Sequence, residues 1–196
     1  MPWAQGTARW VRSVVVLGCV LCVCVPAQNS AAEYDDKDAY EIYSLLLPDE
    51  EAYRLANGTL VIQQETVNSE TPDYFCLEPQ VASEFKGAME DYKRHEEAML
   101  LQRRFEIDKP YELVNTETIR TLIKRDNWDD FYTWYPDSGG IIRMSAVGFN
   151  RQRTLAIVYT WSTRDNIGSG SVSLLKKIKG KWKLVTRGRR CIFRVD

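Results

Sequence analysis

His95 is the single histidine in 196 residues, and so the side chain whose ordinary pKa lies nearest neutrality. It sits in Lys93-Arg94-His95-Glu96-Glu97, at the edge of an apolar helical stripe. A general base there would need a positioned partner and a pocket, and the surrounding sequence offers neither. Any Ser-His-Asp or Cys-His system would have to pass through this residue, and an ordinary zinc site would need more imidazole or thiolate. Carboxylates are plentiful: Asp35-Asp36-Asp38, Asp49-Glu50-Glu51, and Asp126 with Asp129-Asp130. A pair of them could hydrolyse a glycosidic bond, and a loop of them could hold calcium. None has EF-hand spacing, and solvated faces and helix N-terminal charges account for them. The sequence therefore predicts no catalytic residue, no metal site and no cofactor.

Binding chemistry is better represented. Trp128-Asp129-Asp130-Phe131-Tyr132-Thr133-Trp134-Tyr135 sets aromatic rings beside carboxylates, as a sugar-binding groove requires. Asp129 and Trp134, with Trp161 from a later strand, are the residues that would line such a groove. Trp128, Phe131, Tyr132 and Tyr135 also fit one helical face, which would be core. Further on, a basic hairpin carries eight Lys and Arg between Lys176 and Arg190. With a two-residue turn at Lys179-Gly180, Lys176, Lys181 and Lys183 share a face that could track an anionic polymer or an envelope surface. The alternative is a strand pair guarded by lysines against edge aggregation. Gly168-Ser169-Gly170-Ser171 lacks the context of a phosphate loop, so it reads as a strand connection and no nucleotide cofactor is expected. Asn57-Gly58-Thr59 matches a glycosylation sequon, relevant only on a eukaryotic secretory route.

The elements that must position these residues fall in two halves. Asp38 can cap a helix through Leu47, with Tyr40, Tyr43 and Leu47 on one face and Pro48 ending it. Thr59 to Val67 reads as a strand after the Asn57-Gly58 turn. Val81 to about Phe105 is the longest expected helix, with Phe85, Ala88, Met89, Tyr92, Met99 and Leu100 at helical spacing. A short extended piece at Tyr111 to Val114 follows. Asn115 or Thr116 then caps a helix through Lys124, and Asn127 to Tyr135 is a second helical segment. Five strands succeed them: Ile141 to Phe149, Thr154 to Trp161, Ser171 to Ile178, Lys181 to Arg187 and Arg190 to Val195. Helices first and a meander afterwards predict an α+β class, with N-terminal helices packed on a C-terminal antiparallel sheet. A curved sheet wrapped by helices, as in cystatin-like folds, is the expected architecture.

The N-terminus points to export. Arg9 and Arg12 precede an apolar run from Ser13 to Val25, and Val25-Pro26-Ala27 supplies small residues at −3 and −1. That pattern reads as a signal peptide over residues 1–27, leaving residues 28–196 as one domain in the periplasm or outside the cell. The run is too short for an ordinary span of about 20 residues, so no transmembrane segment is expected in the mature chain. Of five cysteines, Cys76 and Cys191 remain after cleavage. In an oxidising compartment such a pair reads as one disulfide, with two free thiols as the alternative. The near-zero net charge hides a split: residues 138–196 hold 13 Lys and Arg against Asp165 and Asp196, while residues 28–137 hold 11 against 25 carboxylates. Either the halves neutralise one another or the basic half faces a partner.

Tyr135-Pro136-Asp137-Ser138-Gly139-Gly140 leads into Val147-Gly148-Phe149-Asn150, then Gly168-Ser169-Gly170, Leu174-Leu175-Lys176-Lys177 and Gly180-Lys181-Trp182. This order resembles a family of uncharacterised secreted bacterial proteins in which a VGFN turn joins two strands and a Gly-rich loop precedes an LLxK…GKW hairpin. The likeness runs from about Tyr111 to Val185. It implies export and fold, and no chemistry, because that family has no assigned activity. Family members often carry cysteines in the Gly-rich loop; Ser162 to Ser169 has none, so no disulfide carries over there. The expected function is a non-catalytic exported binding or interaction module. The alternative is a secreted carboxylate-dependent hydrolase acting on a glycan.

Overall fold

β-branched and aromatic residues dominate the C-terminal half, and there they build one long hairpin to which the other strands attach. A computed structural model of the chain describes residues 31–67, 83–124 and 127–187, and the backbone of 191–194. Its strands are β1 (Leu60–Gln63), β2 (Tyr111–Val114), β3 (Ile141–Met144), β4 (Gly148–Phe149), β5 (Leu155–Arg164), β6 (Ile167–Ile178), β7 (Lys181–Arg187) and β8 (Cys191–Arg194). β5 and β6 pair along their full common length, from Leu155 opposite Lys176 to Arg164 opposite Ile167. β3 and β4 share the free side of β5, while β7 and β8 share that of β6. The class is α+β and most pairings are antiparallel, as expected. The departure from a meander lies in β1, which runs parallel to both β2 and β3 and so brings the N-terminal half into the same sheet.

Alternation along the strands assigns the two faces. Ile62, Ile142, Met144, Val158, Leu175 and Trp182 meet α1 (Lys37–Leu46) through Tyr40, Tyr43 and Leu46. On the opposite face, Ile157, Tyr159 and Leu174 meet α3 (Lys86–Arg94) through Ala88 and Tyr92. On that same face Val61 and Ile141 meet α4 (Thr116–Leu122) and α5 (Asp129–Trp134) through Ile119, Leu122 and Phe131. A short α2 (Glu51–Leu55) follows a 3-10 turn containing Pro48. Among the described residues no helix is long and apolar enough to cross a membrane.

Several local expectations need correction. The cap of α1 is Asp36, whose Oδ1 accepts from Ala39 N at 3.2 Å; Asp38 lies inside the helix and serves another purpose. The helix expected to reach Phe105 stops at Arg94. Beyond it Met99, Leu100 and Leu101 are extended, because their backbone groups bond to Thr66, Ala32 and Gln64, far from them in sequence. Those long-range bonds outweigh local helix propensity. Ile141 to Phe149 is two strands, interrupted at Ser145 to Val147. Gly168 to Ser171 is no connection but the interior of β6. A Cβ at Gly168 would lie 3.0 Å from Cε2 of the Trp161 ring and closer still to its Nε1, so glycine there lets the indole of β5 lie across the neighbouring strand. The turn at Lys179-Gly180 is as expected, with both residues at positive φ (52° and 79°).

The charge split is in part internal. Lys177 Nζ meets Asp38 Oδ1 at 2.6 Å, Arg153 reaches Asp36 and Asp38 at 2.7 and 3.1 Å, and Lys176 meets Glu84 at 3.1 Å. Burial alone would raise the Asp38 carboxyl. Hydrogen bonds from Lys177, Trp182 Nε1 and Arg153 overcome it and hold the group below the ordinary carboxylate range. A depressed folded-state pKa contributes stability that is present above the unfolded value of about 3.9 and lost as the pH falls through the folded value. Denaturation midpoints should accordingly be flat from pH 7 to 5 and fall below about pH 4. Asp38→Asn should lower the plateau and flatten that acid limb; an acid limb unchanged by the substitution would contradict the assignment.

Candidate functional site

Three adjacent strands place one polar side chain each on the sheet face covered by α4 and α5. Val61 stands opposite Ile141 and Ile141 opposite Thr163, so two residues further along β1 and β3, Gln63 and Arg143, share their side of the sheet. Arg143 Nε donates to Gln63 Oε1 at 2.9 Å, and its Nη1 donates to Thr163 Oγ1 at 3.0 Å. Gln63 is itself fixed, because its Nε2 donates to the Glu65 carbonyl at 3.0 Å. The guanidinium carbon lies 5.6 Å from the centroid of the Trp161 ring, within cation–π range. Burial lowers the Arg143 pKa, yet arginine stays charged at any physiological pH.

α4 and the Trp128 segment do not close fully over this group. A cavity of about 340 Å³ remains, floored by Gln63, Arg143 and Thr163 and walled by Ile119, Ile123 and Trp128. Arg120 and Asp165 stand among its exposed lining residues. Arg120 is already paired with Glu117 at 2.7 Å, and Asp165 lies 3.6 Å from Arg164. The local fold explains the wall. Asn115 caps α4 through Oδ1, which accepts from Thr118 N at 2.7 Å. Glu65 Oε2 accepts from both the backbone N and the Oγ1 of Thr116 at 2.8 Å, tying the first turn of α4 to the end of β1. Trp128 and Phe131 pack edge to face with ring centroids 5.2 Å apart, and Phe131 is fully buried (0% exposed).

The residues expected from sequence fall elsewhere. Trp128 and Phe131 are core, with Tyr132 and Tyr135 partly buried against them, close to one of the two readings. Asp129 is exposed in the first turn of α5. Trp134 is 71% exposed and lines a separate open cleft with Thr118, Leu122 and Tyr135, which neither Asp129 nor Trp161 lines. Trp161 is half-buried under Arg143 on the inner sheet face. Lys176 and Lys183 stand directly opposite one another and Lys181 lies on the same side, so the basic stripe exists. Lys176 pairs with Glu84, whereas Lys181 and Lys183 are exposed and have no ion pair among the described residues. His95 ends α3, with Nε2 3.7 Å from Asp91 Oδ2. Cys76 lies outside the described residues, and Cys191 is described by its backbone alone, as the first residue of β8. Residues 1–27 also lie outside them. Among the described residues no group of three His, Cys, Asp or Glu could hold a metal ion.

Comparison of the chain with family models, with curated proteins and with solved structures gave no match.

Proposed function

We propose that the chain is an exported, non-catalytic binding module whose ligand site is the cavity between α4, Trp128 and the β1–β3–β5 face. The observation that carries this reading is the lining itself: a fixed polar floor against an apolar wall, in the size range of small-molecule sites. A glycan hydrolase would need two carboxylates flanking the bond to be cleaved. Asp165 is the one carboxylate among the described lining residues, which favours binding over that alternative.

Two measurements test the two parts. Intact mass of the secreted chain should begin at or near Gln28 and be lighter by two hydrogens, for a Cys76–Cys191 disulfide; a mass retaining residues 1–27 would end the export reading. For the site, small aromatic and branched ligands screened by ligand-observed NMR should bind the wild type. Binding should be lost in Ile123→Trp, which fills the cavity, and kept in Lys181→Gln/Lys183→Gln. The reverse pattern would move the site to the basic hairpin.

A further inference from the structure

Arg143 differs from the other inward-facing cations of the basic half. The Arg187 side chain is 16% exposed and faces Asp49 and Glu50, each at 3.7 Å; that of Lys177 is 26% exposed and meets Asp38. Arg143 faces two neutral partners, a glutamine carbonyl and a threonine hydroxyl, and pairs with no carboxylate among the described residues. Removing a charge from water without an opposite charge is costly, and such groups are ordinarily paired. The neutral contacts also decide which part of the guanidinium is left over. With Nε given to Gln63 and one hydrogen of Nη1 to Thr163, three N–H donors remain, all on Nη1 and Nη2, the end of the guanidinium that can grip a carboxylate.

Resting on the reading of this cavity as the ligand site, we infer that its ligand is a small monocarboxylate with an apolar body, the carboxylate held by Arg143 and the body lying against Ile119, Ile123 and Trp128. The charge count selects a monoanion. One inward cation serves the floor, Arg120 is engaged by Glu117, and the lining carboxylate of Asp165 opposes a second negative charge on the ligand. A phosphate ester would call for more cations than the floor supplies. Thr163 and Gln63 hold the guanidinium in place, which lowers the ordering cost of binding. The apolar wall and a volume of about 340 Å³ suit a ring or branched chain of benzoate size.

The test titrates the exported protein with benzoate, its neutral isostere benzamide, the dianion phenyl phosphate, and benzyl alcohol as an apolar reporter of the cavity alone. Benzoate should bind saturably and at least tenfold more tightly than benzamide or phenyl phosphate. Arg143→Lys should weaken benzoate about tenfold by losing the fork, and Arg143→Met should abolish the preference for benzoate over benzamide. If Arg143→Met does not fold, the wild-type ratio and Arg143→Lys decide. Benzamide binding as well as benzoate, or phenyl phosphate binding more tightly, would overturn the ligand class and leave the cavity reading intact. If benzoate does not saturate while benzyl alcohol does, the inference again falls alone; if neither binds, the cavity reading falls with it.

Discussion

Glu50→Ala should cost about 3 kcal/mol of folding stability, although the residue lies in a segment that reads from sequence as an ordinary acidic cluster. Glu50 is only 5% exposed, at the N-cap of α2. Its Oε1 accepts from Thr160 Oγ1 at 2.7 Å and its Oε2 from Ser162 Oγ at 3.0 Å, both on β5, while Arg187 of β7 stands 3.7 Å away. Alanine would strand the buried Ser162 hydroxyl, leave that of Thr160 only Ser171 Oγ at 3.3 Å, and deprive Arg187 of one of its two carboxylates. Breaking a buried charge pair costs about 3–5 kcal/mol. Asp49 remains within 3.7 Å of Arg187, which places the loss at the lower end. Glu50→Gln keeps one acceptor and should cost about 1–3 kcal/mol. Urea denaturation with an unchanged m-value checks both; a loss under 1 kcal/mol for alanine would mean that the hydroxyls find other partners.

Gly148→Ala should destabilise by a similar amount, about 3 kcal/mol, at the top of the usual overpacking range. A Cβ at Gly148 would lie 2.5 Å from both N and Cβ of Tyr92, and closer still to the Ala88 carbonyl oxygen. These are mainly backbone atoms of α3, so no flexible side chain can yield. The neighbouring Phe149 N donates to Asp91 Oδ2 at 2.8 Å, which holds helix and strand together at this spacing. Gly87 supplies the control from the other side of the same contact. Its added Cβ would sit 3.6 Å from the Asn150 Cβ, an ordinary distance, and the residue is an exposed helix position. Gly87→Ala should therefore stabilise, by about 0.5–1 kcal/mol. Equal effects of the two substitutions in denaturant titrations would contradict the close approach of α3 to β4.

The Val147-Gly148-Phe149-Asn150 run is thus explained by packing. Asn150 Oδ1 accepts from Thr154 N and Leu155 N at 2.8 and 3.0 Å, shaping the turn in which Arg153 takes a positive φ of 53°. Period-two runs and the Lys179-Gly180 turn are legible, and the Asn115 cap and the aromatic face of α5 are each one of two readings, because each is set by residues close in sequence. The helix expected over Val81 to Phe105 ends at Arg94 because the partners of Met99 to Leu101 are Ala32, Gln64 and Thr66, distant in sequence. The cavity was invisible for the same reason: its floor comes from β1, β3 and β5. One cue was present. In Ile141-Ile142-Arg143-Met144 and Leu60-Val61-Ile62-Gln63, alternation puts Arg143 and Gln63 on the side of Ile141 and Val61, where core residues are expected. A charged and an amide side chain at apolar-face positions of two short strands mark a place to look for buried polar chemistry.

On the proposed function, small molecules bind under α4 and not at the exposed tryptophan or the basic hairpin. A residue-resolved ¹H–¹⁵N shift map of the protein titrated with benzoate tests it most directly. Saturable shifts are expected for the Trp128 indole, the Gln63 side-chain amide and the backbone amides of Thr116 and Thr163, with Trp134, Lys181 and Lys183 unmoved. Shifts centred on Lys181 and Lys183 that vanish with added salt, or on Trp134 alone, would contradict it.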